Sequence, residues 1–105
     1  MTDILVVDDE RDIRELICDI LEDEGFATRM ASNSDECMAE LTREPPGMMI
    51  LDIWLKDSNM DGIDILSTVK RDNPGVPVVI ISGHGNIEIA VAAIKQGAFD
   101  FIEKP

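Results

Sequence analysis

Two hydrophobic rhythms alternate along the chain. Ile4-Leu5-Val6-Val7, Met48-Met49-Ile50-Leu51 and Val78-Val79-Ile80-Ile81 are short unbroken apolar runs, mostly of β-branched or long aliphatic residues. Such runs read as strands buried on both faces. Between them the apolar residues fall at helical spacing. Ile13, Leu16, Ile17, Ile20 and Leu21 form one face of a helix that Gly25 can stop. Cys37, Met38 and Leu41 mark a short helix over 34–43, and Ile63, Leu66 and Val69 a third before Asn73-Pro74-Gly75. Asn86 can cap a fourth helix, with Ile87, Ala90, Val91 and Ile94 inward and Gly97 closing it. Residues 26–31 and 98–102 read as two weaker strands, with Phe99 as plain core.

Strands alternating with helices predict an α/β fold: a doubly wound parallel sheet with helices on both faces, in a single domain over 1–105. The chain stops at Pro105, directly after the fifth strand, where a fifth helix would cover the sheet. The sequence therefore reads as a C-terminally truncated piece.

Composition adds limits. A net charge of −13 disfavours direct contact with nucleic acid or anionic lipid. No apolar run approaches the ~18 residues of a membrane span, and the N-terminus lacks the basic region of a signal peptide. A cytoplasmic location is expected. Cys18 and Cys37 have no metal-type spacing and read as small buried hydrophobes.

Charge gains meaning at the strand ends. In open parallel sheets, ligands bind beyond the carboxyl ends of the strands. There the sequence places Asp8-Asp9-Glu10, Asp52, Ser82-Gly83 and Glu103-Lys104-Pro105. Taken singly, each has a plain explanation: Asp8 or Asp9 as a helix cap, Lys104 as a solvated cation. Together, Asp8, Asp9 and Asp52 carry −3 against +1 from Lys104, leaving −2. Like charges ~4 Å apart cost about 4 kcal/mol at an effective dielectric of ~20. A divalent cation with oxygen ligands relieves this, and Mg²⁺ is favoured because these ends carry no His or Cys. Such a site suits attack of Asp52 on a phosphoryl donor, with Lys104 and the Ser82 hydroxyl on the phosphoryl oxygens.

VVDDE, LDIWL, the MDG before the third helix, IISG and DFIEKP resemble the receiver domain of two-component response regulators. ISGHGNIEIAVAAIKQGAFDFIEKP and DIWLKDSNMDG are similar to the nitrogen-regulation branch, NtrC/NtrX type, and most to the NtrX subfamily. The resemblance implies a flavodoxin-like (CheY-like) sheet of order 2-1-3-4-5. It implies Asp52 as phospho-acceptor, and Mg²⁺ on Asp9, Asp52 and the Trp54 carbonyl, with Asp8 acting through water. Ser82 becomes the switch hydroxyl, Phe101 the switch aromatic, and Lys104 the phosphate-contacting lysine. Pro105 is expected to follow a cis peptide bond. A sensor histidine kinase is the implied phosphoryl donor, and a downstream ATPase and DNA-binding module the implied output. A homodimer is implied too. The domain would be a signalling switch, catalysing only its own phosphorylation and dephosphorylation, and not an enzyme otherwise. Trp54, two after Asp52, and His84, two after Ser82, flank the approach of a hydrolytic water and so bear on phosphate lifetime.

Asp61 stands nine positions after Asp52, two more than in the D-x-x-M-P-x-M-D-G pattern usual in the family, and the proline is absent. This leaves the shape of loop 55–60 open. The alternative reading is a haloacid-dehalogenase-type phosphatase with an aspartyl nucleophile. It needs a second acid two residues on, where Trp54 stands. A flavin-binding module would need a phosphate loop where Asp8-Asp9-Glu10 would repel the ligand.

Overall fold

The computed structural model describes residues 3–55, 60–83 and 87–104. Nine elements alternate: β1 (Asp3–Val7), α1 (Arg11–Asp23), β2 (Ala27–Ala31), α2 (Ser34–Arg43), β3 (Met48–Asp52), α3 (Gly62–Asp72), β4 (Val78–Ser82), α4 (Ile87–Lys95) and β5 (Asp100–Glu103). The strands form one parallel sheet in the order β2-β1-β3-β4-β5, as expected.

Successive side chains on a strand point to opposite faces, so the apolar runs of β1 and β3 feed two cores. Leu5, Val7, Met49, Leu51, Val78 and Ile80 pack with Cys37 and Leu41 of α2, Ile65, Leu66 and Val69 of α3, and Ala93 of α4. Ile4 and Val6, with Met48 and Ile50 beside them, meet Ile17, Cys18 and Leu21 of α1. Both cysteines are buried and unbridged. Burial pushes the Cys18 thiol up and that of Cys37 to about 12, so neither is a reactive thiolate.

Three inward assignments need correction. Leu16 and Ile20 of α1 are about half exposed, while Cys18 takes the buried place. On the same helix Ile13, Ile17 and Leu21 are partly covered, so the buried stripe is narrower than the apolar one. In α4 the inward residues are Ala93 and Ile89; Ile87 is 82% exposed, and Val91 and Ile94 are also exposed. That helix is apolar nearly all round, so periodicity alone does not choose its face. Phe99 is 75% exposed and precedes β5, while Phe101 packs on the core. β5 starts only at Asp100, and the buried residue before it is Ala98.

The ends of the helices match their sequence signals. Gly25 and Gly97 lie at φ 95° and 103°, the left-handed region in which a side chain is strained. Asn33 caps α2 by accepting the Glu36 N–H (2.9 Å), and Asp61 caps α3 by accepting that of Asp64 (2.9 Å).

Candidate functional site

Parallel register carries three strand ends to one edge. Asp52 pairs with Ile81 and Ser82 with Glu103. Past the strands the pattern continues: the Ile53 N–H donates to the Ile81 carbonyl (3.0 Å), that of Lys104 to the Ser82 carbonyl (2.8 Å), and that of Asp8 to the Ala31 carbonyl (3.1 Å). Residues far apart in sequence are thus fixed by backbone hydrogen bonds.

Asp52 closes β3 with its side chain only 3% exposed. It lies at the sheet's edge, as expected, yet it is buried and not at an open lip. Its Oδ1 accepts the Trp54 N–H (3.1 Å) and its Oδ2 accepts from Lys104 Nζ (3.1 Å). Asp8 is wholly buried, and its Oδ1 accepts the Glu10 N–H (2.8 Å). Lys104 Nζ lies 3.0 Å from Asp8 Oδ2, an ion-pair distance without hydrogen-bond geometry. Among the described residues that oxygen has no hydrogen-bond partner. Lys104 Nζ also donates to Glu10 Oε1 (3.1 Å). Asp8, Asp9 and Glu10 each offer a carboxylate oxygen, all within 4.8 Å of one another.

Formal charge here is more negative than the sequence count of −2. With Glu10 included, the cluster holds four carboxylates and one ammonium, which leaves −3; Asp8, Glu10 and Asp52 meet Lys104 Nζ, and Asp9 lies beside Asp8 and Glu10. Burial pushes Asp52 up to about 6; the Trp54 N–H and Lys104 pull it down, and the Asp8 charge adds to the rise. Burial opposes the charge on Lys104, but the Asp8, Glu10 and Asp52 carboxylates that meet its ammonium outweigh this and raise its pKa. An oxygen-only donor set around the buried Asp8, whose Oδ2 is ion-paired with Lys104 but has no hydrogen bond among the described residues, fits a hard divalent cation such as Mg²⁺. The acids closest together are Asp8, Asp9 and Glu10, whereas Asp52 joins them through Lys104.

The remaining expected residues fall as follows. Ser82 is fully buried at the end of β4. Trp54 is exposed, with its N–H on Asp52. Phe101 sits opposite Ile80 and packs on the core. His84, Asn86, Pro105 and residues 56–59 of the lengthened loop lie outside the described residues.

Three contributors escaped the sequence reading. Glu10 stands at the strand end, but the charge count of Asp8, Asp9, Asp52 and Lys104 leaves it out. Arg14 donates from Nη1 to the Asp8 carbonyl (2.7 Å), fastening α1 to the end of β1; an arginine one turn into a helix gives no sign of this. In the sequence Gly62 stands out only as the last residue of MDG. It opens α3 against the backbone of the acceptor loop, where an added Cβ would meet Ile53 Cα, Ile53 O at 2.7 Å and Asp52 O at 2.9 Å.

Comparison with known proteins agrees with this geometry. Residues 4–105 match the response regulator receiver domain family. The nitrogen assimilation regulatory protein NtrX of Azorhizobium caulinodans is 58% identical over 103 residues, covering 98% of this chain and 23% of that protein. The chain thus spans under a quarter of that relative's length. The crystal structure of the NtrX receiver domain from Brucella abortus superposes with a TM-score of 0.94 at 55% identity, covering 98% of this chain and 86% of the other. The beryllofluoride-activated NtrC4 receiver domain dimer gives 0.92 at 37% identity, covering 100% and 85%. No described helix is long and apolar enough to cross a membrane. Fold, strand-end carboxylates and family match lead to one conclusion: the chain belongs to the response regulator receiver domains.

Proposed function

We propose that this domain takes a phosphoryl group from a sensor histidine kinase onto Asp52 and thereby controls a downstream output. The observation that carries the reading is a buried Asp52 carboxylate that accepts from Lys104, whose ammonium is also ion-paired with the buried Asp8. A carboxylate oxygen of Asp52 forms the new bond to phosphorus. The bond from phosphorus to the donor breaks, and its electron pair leaves with the donor. Lys104 already touches Asp52 and is poised to meet charge on the phosphoryl oxygens. Ser82, at the adjacent strand end, supplies a hydroxyl to the same group. Mg²⁺, held by Asp9, Asp52 and the Trp54 carbonyl with Asp8 through water, would neutralise the acids and the incoming phosphoryl charge.

Ser82 and Phe101 form the switch in this reading. Ser82 moves toward the phosphoryl group and Phe101 fills the space released, biasing α4 and β5. Exposed Ile87, Val91 and Ile94 on α4 suit a homodimer in the active state. The reading adds an ATPase and DNA-binding output beyond this domain, transcriptional control of nitrogen metabolism, and a cytoplasmic location. With a net charge of −13, the domain itself does not bind nucleic acid. Beryllofluoride, a phosphoryl mimic, should shift the amide resonances of Phe101 and α4. Changes confined to residues next to Asp52 would contradict the switch.

Trp54 bears on lifetime. Its side chain is exposed two residues after the acceptor, and an indole there, mostly apolar, would shield the phosphoryl group from water in this reading. Trp54→Asn should speed loss of phosphate about 10-fold, a barrier change of ~1.4 kcal/mol. Phosphate remaining against time, after the donor is removed, measures it; an unchanged or slower rate contradicts the assignment.

A further inference from the structure

Glu10 occupies the N-cap of α1, yet its side chain makes no capping hydrogen bond. Ser, Thr, Asp and Asn are the residues that cap well. Here the position goes to a longer acid whose carboxylate accepts from Lys104 Nζ, 94 positions away. Lys104 is therefore shared by Asp8, Asp52 and Glu10. The side chains of Asp8 and Asp52 are 0% and 3% exposed, whereas that of Glu10 is 58% exposed. Of the three, Glu10 is the one free to move, and it stands at the mouth of the cluster.

Resting on the reading of Asp52 as phospho-acceptor, we infer that Glu10 is a positioning and selectivity residue for phosphoryl transfer. It holds Lys104 in the resting protein and sets a negative charge on the path of the donor. A donor must draw Lys104 from Glu10 before the ammonium can serve the phosphoryl oxygens, and a more anionic donor is repelled more strongly. With acetyl phosphate, a carboxylate oxygen of Asp52 bonds to phosphorus, the bond from phosphorus to the acetyl oxygen breaks, and acetate leaves with its electron pair. Phosphoramidate transfers the same group but is less negative by one charge at neutral pH, because its nitrogen is protonated; ammonia leaves. Glu10 thus biases Asp52 against strongly anionic small donors.

The test is phosphorylation of wild type, Glu10→Gln and Glu10→Asp by acetyl phosphate and by phosphoramidate, at low and high salt. Glu10→Gln should react roughly 5-fold faster with acetyl phosphate and change less than about 2-fold with phosphoramidate; the gap should narrow at high salt. Glu10→Asp keeps the charge and should stay near wild type. A merely structural role would change both donors alike. Equal effects on both donors, or none, would overturn the inference, with melting temperatures checking the fold. So would a loss of Mg²⁺ affinity in Glu10→Gln as large as in Asp9→Ala, read by Trp54 fluorescence, since Glu10 would then be a metal ligand. Failure of wild type to gain phosphate on Asp52 from either donor would speak against the phospho-acceptor reading itself.

Discussion

Gly62→Ala should lower the unfolding free energy by about 3 kcal/mol or more. The reason is local. Gly62 begins α3, its N–H donates to the Ile53 carbonyl (3.1 Å), and an added Cβ would press on Ile53 Cα and on the carbonyls of Ile53 and Asp52. These are backbone atoms that cannot swing aside as a side-chain tip can. Relief requires α3 to move off the sheet, and with it Ile65, Leu66 and Val69, all fully buried. The same movement would loosen the backbone that carries Asp52. Gly75→Ala is the control, because nothing lies within 4 Å of its Cβ position. Urea unfolding measures both. A midpoint for Gly62→Ala equal to that of wild type would refute the close approach.

Lys104→Ala should cost about 3–5 kcal/mol at neutral pH without added metal, the range for removing one partner of a buried ion pair. The lysine side chain is 9% exposed and faces Asp8 and Asp52, which are buried. The loss should depend on pH. Asp52 already stands at about 6, above its ordinary value, so the folded state binds a proton more readily than the unfolded one. Stability from this group is therefore fully present below about pH 4 and falls as pH rises toward 6. Without Lys104 the folded value rises further, and the fall continues to higher pH. The deficit of the variant should be smaller at pH 5 than at pH 7. Thermal unfolding at the two pH values checks this; an equal deficit would contradict it. Mg²⁺ should restore part of the lost stability.

Much of the fold is legible in the residues because β1, β3 and β4 are marked twice, by unbroken apolar runs and by the acids or Ser82 that end them. The parallel ladder then sets Asp52, Ser82 and Lys104 side by side without further assumption. Where the pattern is ambiguous, reading fails in a physical way. α4 is apolar on several sides, so tertiary contact and not periodicity decides that Ala93 faces in and Ile87 faces out. α1 carries more apolar residues than its neighbours cover, which leaves Leu16 and Ile20 in solvent. In the site, charge type was readable but partnership was not. Nothing in the one-dimensional order says that Lys104 takes Glu10 as a third carboxylate, or that Arg14 grips the Asp8 carbonyl. Gly62 shows the same limit, since its demand for space comes from a backbone nine positions earlier.

Everything proposed for this domain turns on whether Asp52 takes the phosphoryl group. Intact-mass measurement after incubation with Mg²⁺ and acetyl phosphate tests it most directly. Wild type should gain the mass of one phosphoryl group, and Asp52→Asn none under identical conditions. A gain of equal size in Asp52→Asn, or no gain in folded wild type, would contradict the account.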